Sequence, residues 1–226
     1  MKYENISPAR FIRRPNRFIA HILHEGEEKI CHVKNTGRCK ELLTPGAEIL
    51  VQEAANPDRK TAFDLISVYK GERLINMDAV APNVVFGEFL RSGGLGFVPE
   101  TVKAEHRRGD SRFDFYFEHQ GKAAYAEVKG VTLEDNGIVR FPDAPTERGI
   151  KHLHGLMDCV REGYEAYAVF VVQMADVKYF EPNRSTHPQF AAALKEAAEA
   201  GVQVLAYECA VGFDSLEITK SVELRL

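Results

Sequence analysis

The chain has 226 residues, of which 45% are apolar and 27% charged, and its formal net charge is −4. At roughly 100–200 residues per domain this allows one large domain or two small ones, and the apolar content excludes a disordered chain. No apolar run approaches the ~18 residues of a membrane span, and the opening MKYENISPARFIRR lacks the apolar stretch of a secretory leader, so a cytoplasmic protein with no membrane partner is expected.

In chain order, residues 1–78 read as short strands punctuated by turns. Phe18–Leu23 leads through Glu25-Gly26-Glu27 into Lys29–Val33, and Asn35-Thr36-Gly37 breaks the run. Arg38–Leu43 fits one helical turn closed by Pro45-Gly46. Ala47–Glu53 and, after Asn56-Pro57-Asp58, Phe63–Tyr69 are further strands. About five short strands in so short a span predict a small barrel, with an OB-fold as the leading candidate. Basic residues gather at this end: the first 40 residues carry nine Lys and Arg against four Asp and Glu. Arg13, Arg14 and Arg17 surround Pro15-Asn16, Phe11 and Phe18 flank them, and Lys34, Arg38 and Lys40 lie around the Asn35-Thr36-Gly37 turn. Charge that tracks a phosphate backbone, next to rings that stack on bases, is what an OB groove offers a nucleic acid. Arg13, Arg14, Arg17, Lys34 and Arg38 are therefore candidate contacts.

Ala79–Leu90 predicts a helix closed by Ser92-Gly93-Gly94, and a second domain is expected over 79–226. Within it, Ser111–Glu118 and Lys122–Lys129 form a hairpin across His119-Gln120-Gly121. Pro145–Arg161 is helical, Ala166–Gln173 is a buried strand, Ser185 or Thr186 caps a helix with Pro188 in its first turn and Gly201 just past its end, and Val202–Glu208 is a last strand. That order describes an α/β or α+β domain on a mixed sheet. Cys31, Cys39, Cys159 and Cys209 show neither zinc-site nor disulfide spacing and read as buried, reduced thiols. His24, His119, His154 and His187 read as surface residues. No G-x-S-x-G elbow or Walker A motif is present, and Gly93-Gly94-Leu95-Gly96 lacks the setting of a dinucleotide fingerprint.

The stretch SRFDFYFEHQGKAAYAEVKG, residues 111–130, carries the chemistry. Strict alternation puts Phe113, Phe115 and Phe117 on one face and Arg112, Asp114, Tyr116 and Glu118 on the other. Tyr125, Glu127 and Lys129 share a face in the second strand. Pairing the two strands by their apolar faces brings Asp114, Glu127 and Lys129 together, an arrangement that is costly unless compensated. Mg²⁺ or Mn²⁺, which take carboxylate oxygens, would compensate, and Lys129 would orient or help deprotonate an attacking water. In the helix after Pro145, Ile150, Leu153 and Met157 form an apolar stripe, while Arg148 and His152 sit one turn apart on the opposite side. Arg148 is a candidate phosphate contact and His152 a candidate neighbour of the scissile group.

The D…E-x-K pattern of Asp114, Glu127 and Lys129 resembles the PD-(D/E)xK nuclease superfamily, with Phe113-Asp114 in place of Pro-Asp. RRPNRF (13–18), HVKNTGRCKELLTPG (32–46), SRFDFYF (111–117), AEVKGVTL (126–133) and FPDAPTERGIKHLHGLM (141–157) together resemble one family, that of sugar fermentation stimulation protein A. The resemblance implies an N-terminal OB-like domain joined to a nuclease-like α/β domain with a mixed central sheet. It implies binding of DNA without strong sequence preference, with RNA a second candidate, and a role in stimulating sugar (maltose) metabolism genes. Carried over residue by residue, it sets Asp114, Glu127 and Lys129 in the nuclease motif and Glu105 upstream as a third metal ligand, with Arg112 beside them as a nucleic-acid contact.

Overall fold

The computed structural model describes residues 1–56, 59–109 and 111–226. Six strands make up the N-terminal part: β1 (Ile6–Asn16), β2 (Ile19–His24), β3 (Glu27–Val33), β4 (Glu48–Glu53), β5 (Phe63–Lys70) and β6 (Arg73–Asn76). β1 pairs antiparallel with both β2 and β4, β5 with β4, and the parallel pairing of β3 with β5 closes a five-stranded, OB-like barrel with β6 added at its edge. Closure removes the exposed edges an open sheet would present. Strand β1 was not foreseen. Pro8 and Pro15 interrupt its pattern, and its register against β2 shifts between Phe11 and Arg13 and again between Arg13 and Asn16. Such irregularities re-aim side chains and erase the period of two. Of the expected Asn56-Pro57-Asp58 turn, Pro57 and Asp58 lie outside the described residues.

Residues 77–80 lead to helix α1 (Ala81–Arg91), with Pro82 in its first turn, where a missing N–H costs nothing. Then come β7 (Thr101–Arg108), β8 (Ser111–His119), β9 (Lys122–Val131), β10 (Leu133–Asp135), β11 (Ile138–Phe141), α2 (Glu147–Arg161), β12 (Glu165–Val172), β13 (Tyr179–Pro182), α3 (Pro188–Glu199), β14 (Gln203–Val211), β15 (Leu216–Ser221) and β16 (Glu223–Leu224). The large sheet has the order β15-β14-β12-β9-β8-β7. Its centre, β9-β12-β14, is parallel and its flanks are antiparallel. A smaller sheet, β10-β11-β13-β16, went unpredicted because strands of two to four residues carry too little pattern.

Two apolar clusters sandwich the large sheet. On one face Val85, Phe86 and Leu90 of α1 pack on Phe115, Phe117, Val169 and Val171. On the other, Leu153 and Leu156 of α2 and Phe190 and Leu194 of α3 meet Phe113, Phe170 and Phe180, and the cluster continues into the barrel interior through Phe11, Ile22 and Leu65. Each such ring contributes about 1.5–3 kcal/mol on burial.

Local capping differs in part from expectation. The Thr146 side chain accepts the Gly149 N–H at 3.0 Å, which starts α2 one residue after the cap. α3 starts after His187, which makes no side-chain cap bond, while Ser185 instead donates to Asn183. His154 is exposed as expected, whereas His119 and His187 are buried and His24 lies half-buried against Phe63. Partners offset the burial of His119: Glu165 pairs with its Nε2 at 2.8 Å and the Phe97 ring stacks on it. All four cysteines are buried and free, and burial pushes the Cys39 and Cys209 thiols up to about 12.

Candidate active site

The predicted alternation in β8 fails at Asp114. The β8–β9 ladder runs from His119–Lys122 to Phe115–Ala126 and stops there. Beyond it Phe113 turns into the α2 side while Phe115 and Phe117 face α1. Where the ladder ends, the Asp114 carboxylate takes over: Val128 N–H donates to Oδ2 at 2.8 Å, and Asn83 Nδ2, from the first turn of α1, donates to Oδ1 at 3.0 Å. Sequence reasoning missed Asn83, because a lone Asn after a proline at a helix start carries no chemical signal.

Glu127 projects from β9 on the α2 side and is only 4% exposed. Its Oε1 accepts from Lys129 Nζ and from His152 Nδ1. Arg148 Nε donates to His152 Nε2 at 3.3 Å, which leaves Nδ1 to donate to Glu127. His152 does not lie opposite the apolar stripe of α2, as the helical wheel predicts. It is buried in line with Gly149, Leu153 and Leu156 and faces the sheet. A buried carboxylate partner compensates the polar ring at a position that reads as solvent-facing.

The two carboxylates are electrostatically unlike. Burial raises the Asp114 pKa, the neighbouring Glu127 charge adds to it, and the Val128, Lys129 and Asn83 contacts oppose them without winning. Burial also pushes Glu127 upward, but the His152 hydrogen bond and the Lys129 ammonium outweigh it, leaving its pKa below the ordinary value. Glu127 Oε2 is buried without a hydrogen-bond partner. A buried orphan oxygen of a charged carboxylate is expensive, and a cation is the group that would satisfy it. Mg²⁺ needs one or two carboxylates, with waters and phosphate oxygens completing its shell. Asp114 and Glu127 fit that requirement. Among the described residues no three His, Cys, Asp or Glu side chains form a ready-made cage. Glu105 does not join them: its backbone is left-handed at φ 52°, its side chain is 69% exposed, and it faces Arg112 at 3.7 Å.

The arginines and lysines of the barrel take different roles. Arg13, Arg14, Arg17, Arg38 and Lys40 line one cavity of about 480 Å³ with Phe11, Asn16 and the Thr36-Gly37 turn. Arg13 is exposed and pairs loosely with Glu28 at 3.2 Å. Arg17 is exposed and lies 5.2 Å from the ring centre of Phe18, itself exposed, whereas Phe11 belongs to the core. Arg14 serves the fold, since its guanidinium donates to the carbonyls of Asn35, Gly37, Arg38 and Arg17 at 2.6–3.1 Å. Lys34 is a strut as well, with Nζ 2.5 Å from the buried Asp78 at the junction of barrel and sheet. Arg112 and Arg148 are both exposed; Arg148 reaches the cluster through His152, whereas Arg112 faces Glu105. A second cleft, of about 180 Å³, lies between the Asn35-Thr36-Gly37 turn, Gly130–Leu133 of β9–β10, Arg140 and Asp143.

Known proteins resemble this chain over its full length. A family model described as the sugar fermentation stimulation protein RE domain matches residues 80–215, and one described as the SfsA N-terminal OB domain matches 12–77. Sugar fermentation stimulation protein homologues from Clostridium beijerinckii and Ruminiclostridium cellulolyticum are 54% and 55% identical, each over 100% of both chains. The solved structure titled "The structure of Pyrococcus Furiosus SfsA in complex with Ca2+" superposes with a TM-score of 0.90 at 26% identity, over 100% of this chain and 98% of that one.

Proposed function

The chain belongs to the sugar fermentation stimulation protein family, and on that premise we propose that it binds DNA with little sequence preference and hydrolyses phosphodiester bonds with the help of Mg²⁺ or Mn²⁺. The observation that carries this reading is the orphaned Oε2 of Glu127 beside Asp114. The Ca²⁺ bound by the Pyrococcus furiosus relative supports a divalent site in this fold.

Asp114 and Glu127 would hold the cation, and Val128 N–H and Asn83 would keep the Asp114 carboxylate aimed. A divalent cation so placed supplies Lewis-acid stabilisation of the charge that builds on the phosphate. Lys129, half-buried beside Glu127, offers an ammonium that orients the attacking water and neutralises developing charge. His152 fixes the Glu127 carboxylate through Nδ1–H. Arg148, next to His152, and the exposed Arg112 would hold phosphates, while Arg13, Arg17 and Arg38 would guide the backbone along the barrel. Four free, buried thiols suit a reducing cytoplasm.

A second reading is binding without cleavage, through which the protein would stimulate sugar (maltose) metabolism genes. The family's name favours it, as does Glu127 Oε1, which Lys129 and His152 of the chain itself already hold. A cleavage gel separates the two. Labelled DNA incubated with Mg²⁺, Mn²⁺ or chelator should yield metal-dependent products with the wild type, and Asp114→Ala should lose them by roughly 10⁴-fold with DNA binding intact. Cleavage surviving in that variant overturns the site, and intact DNA in every lane overturns hydrolysis in favour of the second reading.

A further inference from the structure

Building on the reading of the carboxylate cluster as a DNA-processing site, we propose that the DNA it takes is single-stranded and that Phe18 is the residue that tells a single strand from a duplex. Phe18 stands between β1 and β2 and is 47% exposed. Asn16 Oδ1 accepts both the Phe18 N–H, at 2.9 Å, and the Ile19 N–H, at 3.1 Å, so the turn is held and the ring is presented rather than loose. The Arg17 guanidinium lies 5.2 Å from its centre. A ring face with a cation beside it binds an unpaired base by stacking, whereas a base inside a duplex has no free face to offer.

A groove runs from beside this ring toward β9. The basic cavity next to it, of about 480 Å³, has the size of a small-molecule site. It meets the cleft of about 180 Å³ at Thr36 and Gly37, and that cleft ends on Gly130, the neighbour of Lys129. The turn between the two is pinned. Asp143 Oδ2 accepts the Arg38 N–H at 2.8 Å, and a Cβ on Gly37 would come within 2.5 Å of the same oxygen. The barrel is thus pressed onto the segment that leads into α2. A single strand, with one backbone and unpaired bases, can follow this succession of cavity and cleft.

The test is fluorescence anisotropy in chelator, so that no cleavage intervenes. The probes are a labelled single-stranded oligodeoxynucleotide, its duplex and the RNA of the same sequence. The wild type should hold the single-stranded DNA at least about tenfold tighter than the duplex, and Phe18→Ala should weaken the single strand about tenfold while leaving the duplex unchanged. Phe18→Tyr, which keeps a stacking face, should restore the affinity. The ring is exposed, so the fold does not depend on it. Equal or tighter duplex binding, equal losses on both DNAs, or a tighter grip on the RNA would overturn the proposal. Because binding here needs no cation, failure of hydrolysis would leave this result standing. Cleavage of duplex by the wild type as fast as of the single strand would sustain hydrolysis and overturn single-strand selection.

Discussion

The barrel groove and the carboxylate cluster both gather charge, and they treat it in opposite ways. In the groove, Arg13 and Arg17 stay in water, and the Arg13–Glu28 pair at 3.2 Å is of the exposed kind worth about 0–1 kcal/mol. Such a pair exchanges readily for a phosphate. In the cluster, Glu127 is buried, held by Lys129 and His152, and left with one oxygen unsatisfied. Charge that only binds is best left solvated and cheap to rearrange. Charge that acts on a bond gains from a low-dielectric setting, where its field is least damped.

The sharpest way to break this comparison is to strip the groove. Replacing Arg13, Arg17 and Arg38 together by Ala should weaken DNA binding and lower the slope of log affinity against log salt by about 0.7 for each lost phosphate contact, about 2 in all. An unchanged slope would place binding elsewhere. Arg14 tests the division within the groove itself. Arg14→Ala removes donors to four carbonyls, and the expected cost of about 2–3 kcal/mol should lower the melting temperature by roughly 5–10 °C. A variant that melts like the wild type but binds DNA poorly would return Arg14 to the binding surface.

The smallest effect lies at the other end of β9 and asks whether half-buried charge outside the cluster acts on the fold alone. Burial pushes Glu165 upward, but Lys122, Tyr167 and His119 outweigh it and hold its pKa at about 2, below the ordinary 4.5. A depressed folded-state value stabilises the fold above the unfolded pKa, and that stabilisation fades as pH falls toward 2. Denaturant melts should therefore show Glu165→Gln less stable than the wild type at neutral pH, with the gap closing below pH 4.5. A gap that does not change with pH would contradict this assignment.

How much was legible in the sequence follows the same division. The D…E-x-K spacing of Asp114, Glu127 and Lys129 marked the cluster, although the alternation expected to bring them together breaks at Asp114. Sequence reasoning also read the barrel, whose turns are marked by Gly, Pro and Asn. It missed β1, where bulges hide the period, and with it the difference between Arg13, which points to solvent, and Arg14, which is consumed by its own loop. It enlisted Glu105, which a left-handed backbone turns toward solvent, and put His152 on the wrong side of α2, because an imidazole facing a buried carboxylate reads as polar surface until its partner is known. Periodicity reports which face is buried, and it is silent on tertiary partners.

The most direct test of the central claim, that Asp114 and Glu127 form a divalent-cation site, is calorimetric titration of the metal-free protein with Mn²⁺. The account predicts one bound cation per chain in the wild type, with affinity falling at least about tenfold in Asp114→Asn and again in Glu127→Gln. Wild-type affinity in either variant would contradict it.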